Sequence, residues 1–157
     1  MSNLNPAPIF ITYARNPSKI AGYYDPDDGN IYICTGLSKY RQLLIYVHER
    51  QHKKCHDEKC SCWSRGTFHS EYHAYRAELD YVIERESPRL WKLYFRNVMA
   101  DIIKQSSDLR LWGRHHGAIL KVCRLKRFRE RAKEHGVLHK INLIIKRTSH
   151  GQAKASS

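Results

Sequence analysis

The sequence predicts an α+β fold in which a short antiparallel sheet or hairpin packs on two neighbouring helices, with further helices toward the C-terminus. Two observations support this prediction. Short β-branched and aromatic runs are confined to the first 34 residues, and beyond them the apolar residues recur at helical spacing. The length of 157 residues suits one compact domain with a tail, and 41% hydrophobic content is typical of a globular protein.

The predicted strands come first in the chain. Ile9–Tyr13 is rich in β-branched and aromatic residues and ends shortly before a proline, so it predicts a first strand. Residues 21–24 and 30–34 have the same character and flank Asp25–Gly29, whose Asp, Pro and Gly residues favour a turn. These two segments therefore predict a β-hairpin.

Two helices are expected after the hairpin. Ser38 is a candidate N-cap, and a helix is expected from there to about Lys54 because apolar residues recur at helical spacing. A segment rich in Cys, Lys and Ser, from Cys55 to Thr67, predicts a loop. The second helix is expected over about Ser70–Arg85, since Pro88 disfavours helical backbone just before it.

The rest of the chain also predicts helices. A third helix is expected over Leu90–Ile103, and a basic helix over about Ala118–Glu134 with Gly136 as its C-cap. Residues 137–145 fit either a last strand or a helical turn.

Charge is distributed unevenly along the chain. The 28 Lys and Arg residues outnumber 15 Asp and Glu residues, which gives a formal net charge of +13. Residues 1–112 carry 16 basic and 13 acidic side chains, whereas residues 113–157 carry 12 and 2. We therefore expect a main domain over residues 1–112, a basic helical extension packed on it over 113–149, and a disordered tail over 150–157.

The basic extension favours an acidic partner. Its helix interleaves apolar residues with Lys121, Arg124, Lys126, Arg127, Arg129, Arg131 and Lys133. The apolar spacing predicts packing on the main domain, which leaves a basic face for the phosphates of a nucleic acid. A face that only aids solubility is the alternative, since no known reading motif accompanies the charge.

A cytoplasmic protein without a membrane partner is expected. Met1–Phe10 has neither the basic nor the apolar region of a signal peptide, and the five cysteines are an odd number. The longest strongly apolar run, Leu43–Val47, is far shorter than the roughly 20 residues of a membrane-spanning helix.

The segment His48-Glu49-Arg50-Gln51-His52 lies within the first predicted helix. Histidines four residues apart share one helix face, so His48 and His52 can bind one metal ion, with Zn²⁺ as the expected species. Glu49 lies beside that face, where a carboxylate can take a proton from the attacking water. The pattern predicts zinc-dependent hydrolysis of a peptide bond in a protein or peptide substrate.

A catalytic zinc needs a third protein ligand, and the second helix offers several. Glu71 and Glu78 share one face but lie two turns apart, about 10.5 Å along the axis, so only one of them reaches the ion. Glu71 is favoured because the alanines that follow it permit a close approach of the two helices. Glu78 is then expected to support the site or face solvent, and His69 and His73 stay open as alternatives.

These motifs resemble those of compact gluzincin-type metallopeptidases, including the ImmA/IrrE group found in phages, mobile elements and bacteria. The likeness covers roughly residues 20–85: the hairpin, the His48–His52 helix and the Glu71-x-x-Ala74 pattern. It implies a zinc peptidase whose edge strand aligns the substrate backbone by β-augmentation. The cysteine-rich loop departs from that family, as does Tyr75, which stands where the family has Asn.

A second resemblance is to SprT-type proteases, in which a later histidine completes the site and a DNA-binding region is common. His69 is the candidate for that part. The rival function is a nucleic-acid-binding protein whose metal is structural and catalyses nothing. If the chain is a peptidase, Tyr72 or Tyr75 is the candidate for stabilising the oxyanion, on proximity in sequence alone.

The cysteines after the metal-binding helix form a Cys-x4-Cys-x-Cys cluster, Cys55, Cys60 and Cys62, with His56 among them. This cluster predicts a second, structural metal, with Cys34 or Cys123 as a further ligand. The alternative is a reduced loop with incidental thiols, or a disulfide that forms only on oxidation.

Overall fold

The computed structural model describes residues 7–12, 14, 20–107 and 112–153. They form the expected α+β fold, with a small sheet near the N-terminus and helices through the rest of the chain. No helix in these ranges combines the length and the apolar character that crossing a membrane requires.

The sheet is mixed rather than wholly antiparallel. β2 (Gly22–Tyr24) and β3 (Ile31–Cys34) form the expected hairpin, with Tyr23 opposite Tyr32. β1 (Ile9–Ile11) pairs in parallel with the other side of β3, so the strand order is β1-β3-β2. A lone short strand carries no signal for the direction of its partner, which is why the parallel pair was not predicted. β2 is therefore an edge strand.

Helix α1 (Lys39–Asp57) lies between the sheet and α3 (Thr67–Arg85). Ser38 caps α1 as expected, because its Oγ accepts a hydrogen bond from Arg41 N at 3.4 Å. On one side, Ile45 and Tyr46 of α1 pack on a small apolar cluster of the sheet, formed by Tyr24, Ile31 and Ile33. On the other side, α1 contributes Leu44 to the main core.

The remaining elements follow in the order α2 (Ser61–Ser64), α3, α4 (Pro88–Ser106), a π-helical turn (Trp112–His116), α5 (Gly117–Cys123), α6 (Lys126–Glu134) and α7 (Leu138–Ala153). The basic helix expected over residues 118–134 is two helices, because the backbone is extended at Leu125. Gly136 follows α6 with a φ of +69°, as its expected capping role requires.

The segment over 137–145, expected as a strand or helical turn, belongs mostly to α7. The helical backbone of α7 extends into the expected tail as far as Ala153, and residues 154–157 lie outside the described ranges.

The main core lies between α3, α4 and the C-terminal helices. Its largest fully buried side chains include Leu79, Tyr94, Phe95, Ile119, Phe128 and Ile141. Phe128 of α6 and Ile141 of α7 share this core with Leu79 of α3, so the basic C-terminal segment belongs to the same core. Within it, α5 packs on α3 and α7 packs on α4.

Candidate metal centre

The three expected metal ligands converge between α1 and α3. His48 Nε2 and His52 Nε2 lie 3.1 and 3.2 Å from the two carboxylate oxygens of Glu71. One ligand atom from each residue lies within 4.8 Å of the others. Ligands about 2.0–2.1 Å from one tetrahedral ion are about 3.3 Å apart, so the three residues fit a single metal ion.

The other ring nitrogen of each histidine is held by a neighbour on α3. His48 Nδ1 lies 2.6 Å from Glu78 Oε1, and His52 Nδ1 lies 2.7 Å from Ser70 Oγ. Such contacts fix the orientation of the ring and the tautomer that presents Nε2 to a metal. Glu78 therefore stands behind His48, in the supporting position that was expected for it.

The alternative third ligands lie elsewhere. His69 contacts the ring of Phe68, and neither His69 nor His73 lines the cleft above the converging ligands. Side chains two residues apart on a helix point about 200° apart, so His73 faces away from the metal position of Glu71. It lies instead beside Cys55, with His73 Nδ1 4.0 Å from Cys55 Sγ.

Glu71 is a buried carboxylate surrounded by imidazoles. Burial alone would raise the pKa of Glu71, but hydrogen bonds from His115, His48 and His52 hold it well below its ordinary value. Burial would likewise lower the pKa of His48, but hydrogen bonds to Glu71 and Glu78 raise it well above its ordinary value. Glu71 is therefore ionised at neutral pH, as a metal ligand must be.

Glu49 lies next to the converging ligands and is fixed by the sheet. Its Oε2 accepts a hydrogen bond from the backbone N of Tyr24 at 3.0 Å. Burial raises the pKa of Glu49, and the neighbouring His48 and His52 offset part of that rise. Because Glu49 lines the same cleft as the three ligands, it can reach a water or a substrate there.

The cleft above the ligands has a volume of about 550 Å³, and β2 forms one of its walls. In an antiparallel ladder, successive residues direct their backbone groups alternately to the partner strand and away from it. Asp25 N donates to Asn30 O at 3.0 Å across the hairpin, so the backbone groups of Tyr24 and Gly22 point away from β3. The open edge of β2 therefore faces the cleft.

Gly22 permits β2 to lie this close to α1. A Cβ atom at this position would be 2.5 Å from Ile45 Cγ2 and 2.8 Å from the backbone O of Tyr32. Real Cβ contacts are longer than both distances, so any side chain at position 22 would push the strand away from the helix.

His115 belongs to the site although no sequence pattern singles it out. It lies in the π-helical turn, its Nδ1 is 3.2 Å from Glu71 Oε2, and its side chain is 29% exposed. It lines the cleft beside the three ligands. The only signal in the sequence is one of ten histidines, with no spacing relation to His48 or Glu71.

The two tyrosines considered for the oxyanion lie in different places. Tyr75 lines the cleft, but its OH accepts a hydrogen bond from Gln105 Nε2 at 2.6 Å, and its ring packs on His48. The ring of Tyr72 lies 4.3 Å from Lys121 Nζ, and Tyr72 does not line the cleft. Tyr75 and His115 therefore both line the cleft where a substrate would bind, and Tyr72 lies outside it.

No family model, curated protein or solved structure matches the chain. The resemblance to the ImmA/IrrE-type peptidases therefore rests on the motif residues alone. Zinc as the bound metal, and peptide hydrolysis as the activity, accordingly remain proposals.

The cysteine cluster also comes together, and its fourth member is His73 rather than His56, Cys34 or Cys123. Cys55, Cys60 and Cys62 each place a sulfur close to His73, not to His56. His56 Nδ1 lies 2.7 Å from the OH of Tyr24 instead. The other two cysteines considered as ligands are buried elsewhere: Cys34 in the sheet and Cys123 in the main core.

Proposed function

We propose that the protein is a zinc-dependent peptidase in which Glu49 is the general base. The observation that carries this proposal is the convergence of His48, His52 and Glu71 below a cleft that Glu49 also lines. Two imidazoles and one carboxylate are a ligand set of catalytic zinc, since three protein ligands leave one position for water or substrate.

The roles of the residues follow from their positions. Zinc held by this ligand set supplies an acidic water and polarises the substrate carbonyl. Glu49 accepts the proton of the attacking water and delivers it to the leaving amine. Glu49 lines the cleft beside the three ligands, which places its carboxylate where the attacking water and the leaving amine would lie.

His115 is proposed to stabilise the negative charge that develops on the carbonyl oxygen. Its Nδ1 is 3.2 Å from Glu71 Oε2, and its partly exposed ring borders the cleft. Because Nδ1 is engaged by Glu71, the Nε2 side of the ring is the one proposed to meet the oxyanion.

The substrate is proposed to bind as an extended peptide along β2. The backbone groups of Gly22 and Tyr24 that point away from β3 offer the hydrogen bonds of a strand edge. Tyr24 N already donates a hydrogen bond to Glu49, so this bond fixes the position of β2 relative to the proposed general base.

The decisive experiment compares the natural chain with Glu49→Gln. Gln keeps the shape of the side chain but cannot accept the proton, so we expect zinc to be retained and proteolysis of unfolded casein to fall by roughly 10²–10⁴-fold. Glu58→Gln, at an exposed position just after α1, is the matched control and should leave activity unchanged. Full activity in Glu49→Gln would refute the proposed mechanism.

A nucleic-acid-binding protein with a structural zinc is the rival, and a DNA-associated protease would combine both functions. Exposed basic side chains on and near α6 favour nucleic acid: Arg124, Lys126, Arg129 and Lys133. Lys126 also lies 3.7 Å from Glu130 of the same helix. Two other basic residues of α6 are engaged elsewhere, because Arg127 lies 2.8 Å from Asp80 and Arg131 lies 3.6 Å from Glu86. A natural chain that holds zinc and cleaves nothing would favour the rival.

A further inference from the structure

We propose that Cys55, Cys60, Cys62 and His73 bind a second, structural zinc ion that joins the end of α1 to α3. Three thiolates and one imidazole are one of the sets that structural zinc sites use. One ligand atom from each of the four residues lies within 4.8 Å of the others. The proposal does not depend on peptide hydrolysis at the first site.

The turn after α1 explains the spacing of the first two ligands. Lys59 has a φ of +49°, Lys59 N donates to His56 O at 3.1 Å, and Cys60 N donates to Cys55 O at 2.8 Å. This is the Schellman arrangement, in which residues five apart in sequence are brought back together at the end of a helix. A non-glycine residue seldom adopts this backbone, so the contacts formed by the turn must hold it in place.

The distances within the cluster fit one ion. Cys62 Sγ lies 3.1 Å from Cys60 Sγ, and His73 Nδ1 lies 4.0 Å from Cys55 Sγ. On one tetrahedral zinc, two sulfurs bound at about 2.3 Å are about 3.8 Å apart, and a sulfur and an imidazole nitrogen are about 3.6 Å apart. The sulfur–sulfur distance is shorter than its expected value and the sulfur–nitrogen distance is longer, so small shifts of the side chains bring the ligands to one ion. A disulfide would need sulfurs about 2.05 Å apart, and Cys55, Cys60 and Cys62 form no disulfide in the described part of the chain.

The surroundings favour a closed, structural site. Cys55 and Cys62 are 2% and 3% exposed, and none of the four ligand residues lines the cleft of the first site. Gln51 Nε2 donates a hydrogen bond to Cys55 Sγ at 3.2 Å. An amide donor of this kind supports a metal-bound thiolate, because it neutralises part of the negative charge on the sulfur.

The two sites share the same pair of helices. On α1, Cys55 follows His52 by three residues, and on α3, His73 follows Glu71 by two residues. An ion at the second site therefore holds α1 and α3 at the separation that the first site needs. Loss of the second ion should weaken metal binding at the first site as well.

The first test is zinc content under reducing conditions. We expect about two zinc ions in each natural chain, and about one or fewer in Cys62→Ser and in His73→Ala. His56→Ala is the matched control, because His56 also lies beside the cysteines in sequence but contacts Tyr24, and it should keep both ions. Full zinc content in His73→Ala, or loss of an ion in His56→Ala, would overturn the assignment.

The second test does not require the cysteine variants to fold. Cobalt replaces zinc in the natural chain and in His48→Ala, and the absorption spectrum is recorded. Thiolate ligands give a charge-transfer band in the near ultraviolet, which the nitrogen and oxygen ligands of the first site do not give. We expect this band in both proteins, even if peptidase activity proves absent. A cobalt-loaded natural chain without the band, or a brown iron–sulfur spectrum in the protein as purified, would overturn the proposal.

Discussion

Two groups of side chains with the spacing of metal ligands lie at α1 and α3, the second completed by two cysteines at the start of α2, and they differ in chemistry and in access. The His48, His52 and Glu71 group uses nitrogen and oxygen and lies below a cleft of about 550 Å³. The group of Cys55, Cys60, Cys62 and His73 uses mainly sulfur, and two of its thiols are almost completely buried. The two groups lie at the same pair of helices, so they differ in ligand type and access rather than in position. The nitrogen and oxygen ligands below the cleft suit catalysis, and the buried thiols suit a structural ion that holds helices together.

The two groups also differ in buried charge. Glu49, Glu71, Glu78 and Asp101 crowd the first site, and Glu78 and Asp101 line a smaller cavity of about 150 Å³ behind His48. Burial, with a contribution from Glu78, raises the pKa of Asp101 to about 6. The first site is thus built at a cost to stability, as is common where carboxylates are gathered for function.

The sharpest test of the first group is the comparison of Glu71→Ala with Glu78→Ala. Loss of Glu71 removes an atom that faces the proposed ion, so we expect the first zinc and the activity to be lost together. Loss of Glu78 removes only the support of His48 Nδ1, which typically weakens metal affinity by roughly 10–100-fold. Zinc titration at a fixed chelator concentration measures the zinc affinity of each variant. The reverse order of effects would assign the ligand role to Glu78.

A smaller effect is expected for His115→Ala. If His115 stabilises the oxyanion, kcat should fall by roughly 10²-fold, while KM and zinc content stay near those of the natural chain. His116→Ala is unsuitable as a control because His116 is buried, so His139→Ala, at an exposed position on α7, serves instead. Loss of zinc in His115→Ala would instead mean that His115 acts by holding Glu71.

The smallest effect concerns Asp101 and the pH dependence of stability. Its raised pKa means that the folded state binds the proton more tightly, so the contribution of Asp101 to stability falls as pH rises from about 4 through about 6. Asp101→Asn should remove up to roughly 3 kcal/mol of this loss, since one pKa unit corresponds to about 1.4 kcal/mol.

Denaturant unfolding at pH 5 and pH 8 measures the part of this effect that falls above pH 5, which is roughly 1.4 kcal/mol for a pKa of about 6. The natural chain should lose more stability between the two pH values than Asp101→Asn does. Asp27→Asn, an exposed change in the hairpin turn, should behave like the natural chain. Equal pH dependence in all three proteins would show that Asp101 is ionised without cost.

Local periodicity was sufficient to predict some parts of both groups. The spacing of His48 and His52 on one helix face, and the small residues after Glu71, predicted the three side chains whose ligand atoms lie together in the structure. The hairpin and the N-cap at Ser38 follow from equally local signals. These features depend on residues only a few positions apart.

Other parts depend on how helices pack, which no short window of sequence records. His56 seemed the natural partner of the cysteines because it lies among them, yet α3 supplies His73. His115 reaches Glu71 only because the C-terminal helices fold back on α3. The parallel pairing of β1 with β3 was not predicted either, because a lone short strand carries no signal for the direction of its partner.

Two adjacent histidines at the end of the π-helical turn over Trp112–His116 lie in different surroundings. His115 reaches the cleft, whereas His116 is 1% exposed. A π-helical turn holds about one residue more than an α-helical turn. Deleting His116 would rotate His115 by about 100° about the helix axis relative to α5. The length of this turn thus sets the alignment of His115 with Glu71, and natural variants should tolerate substitutions there more readily than insertions or deletions.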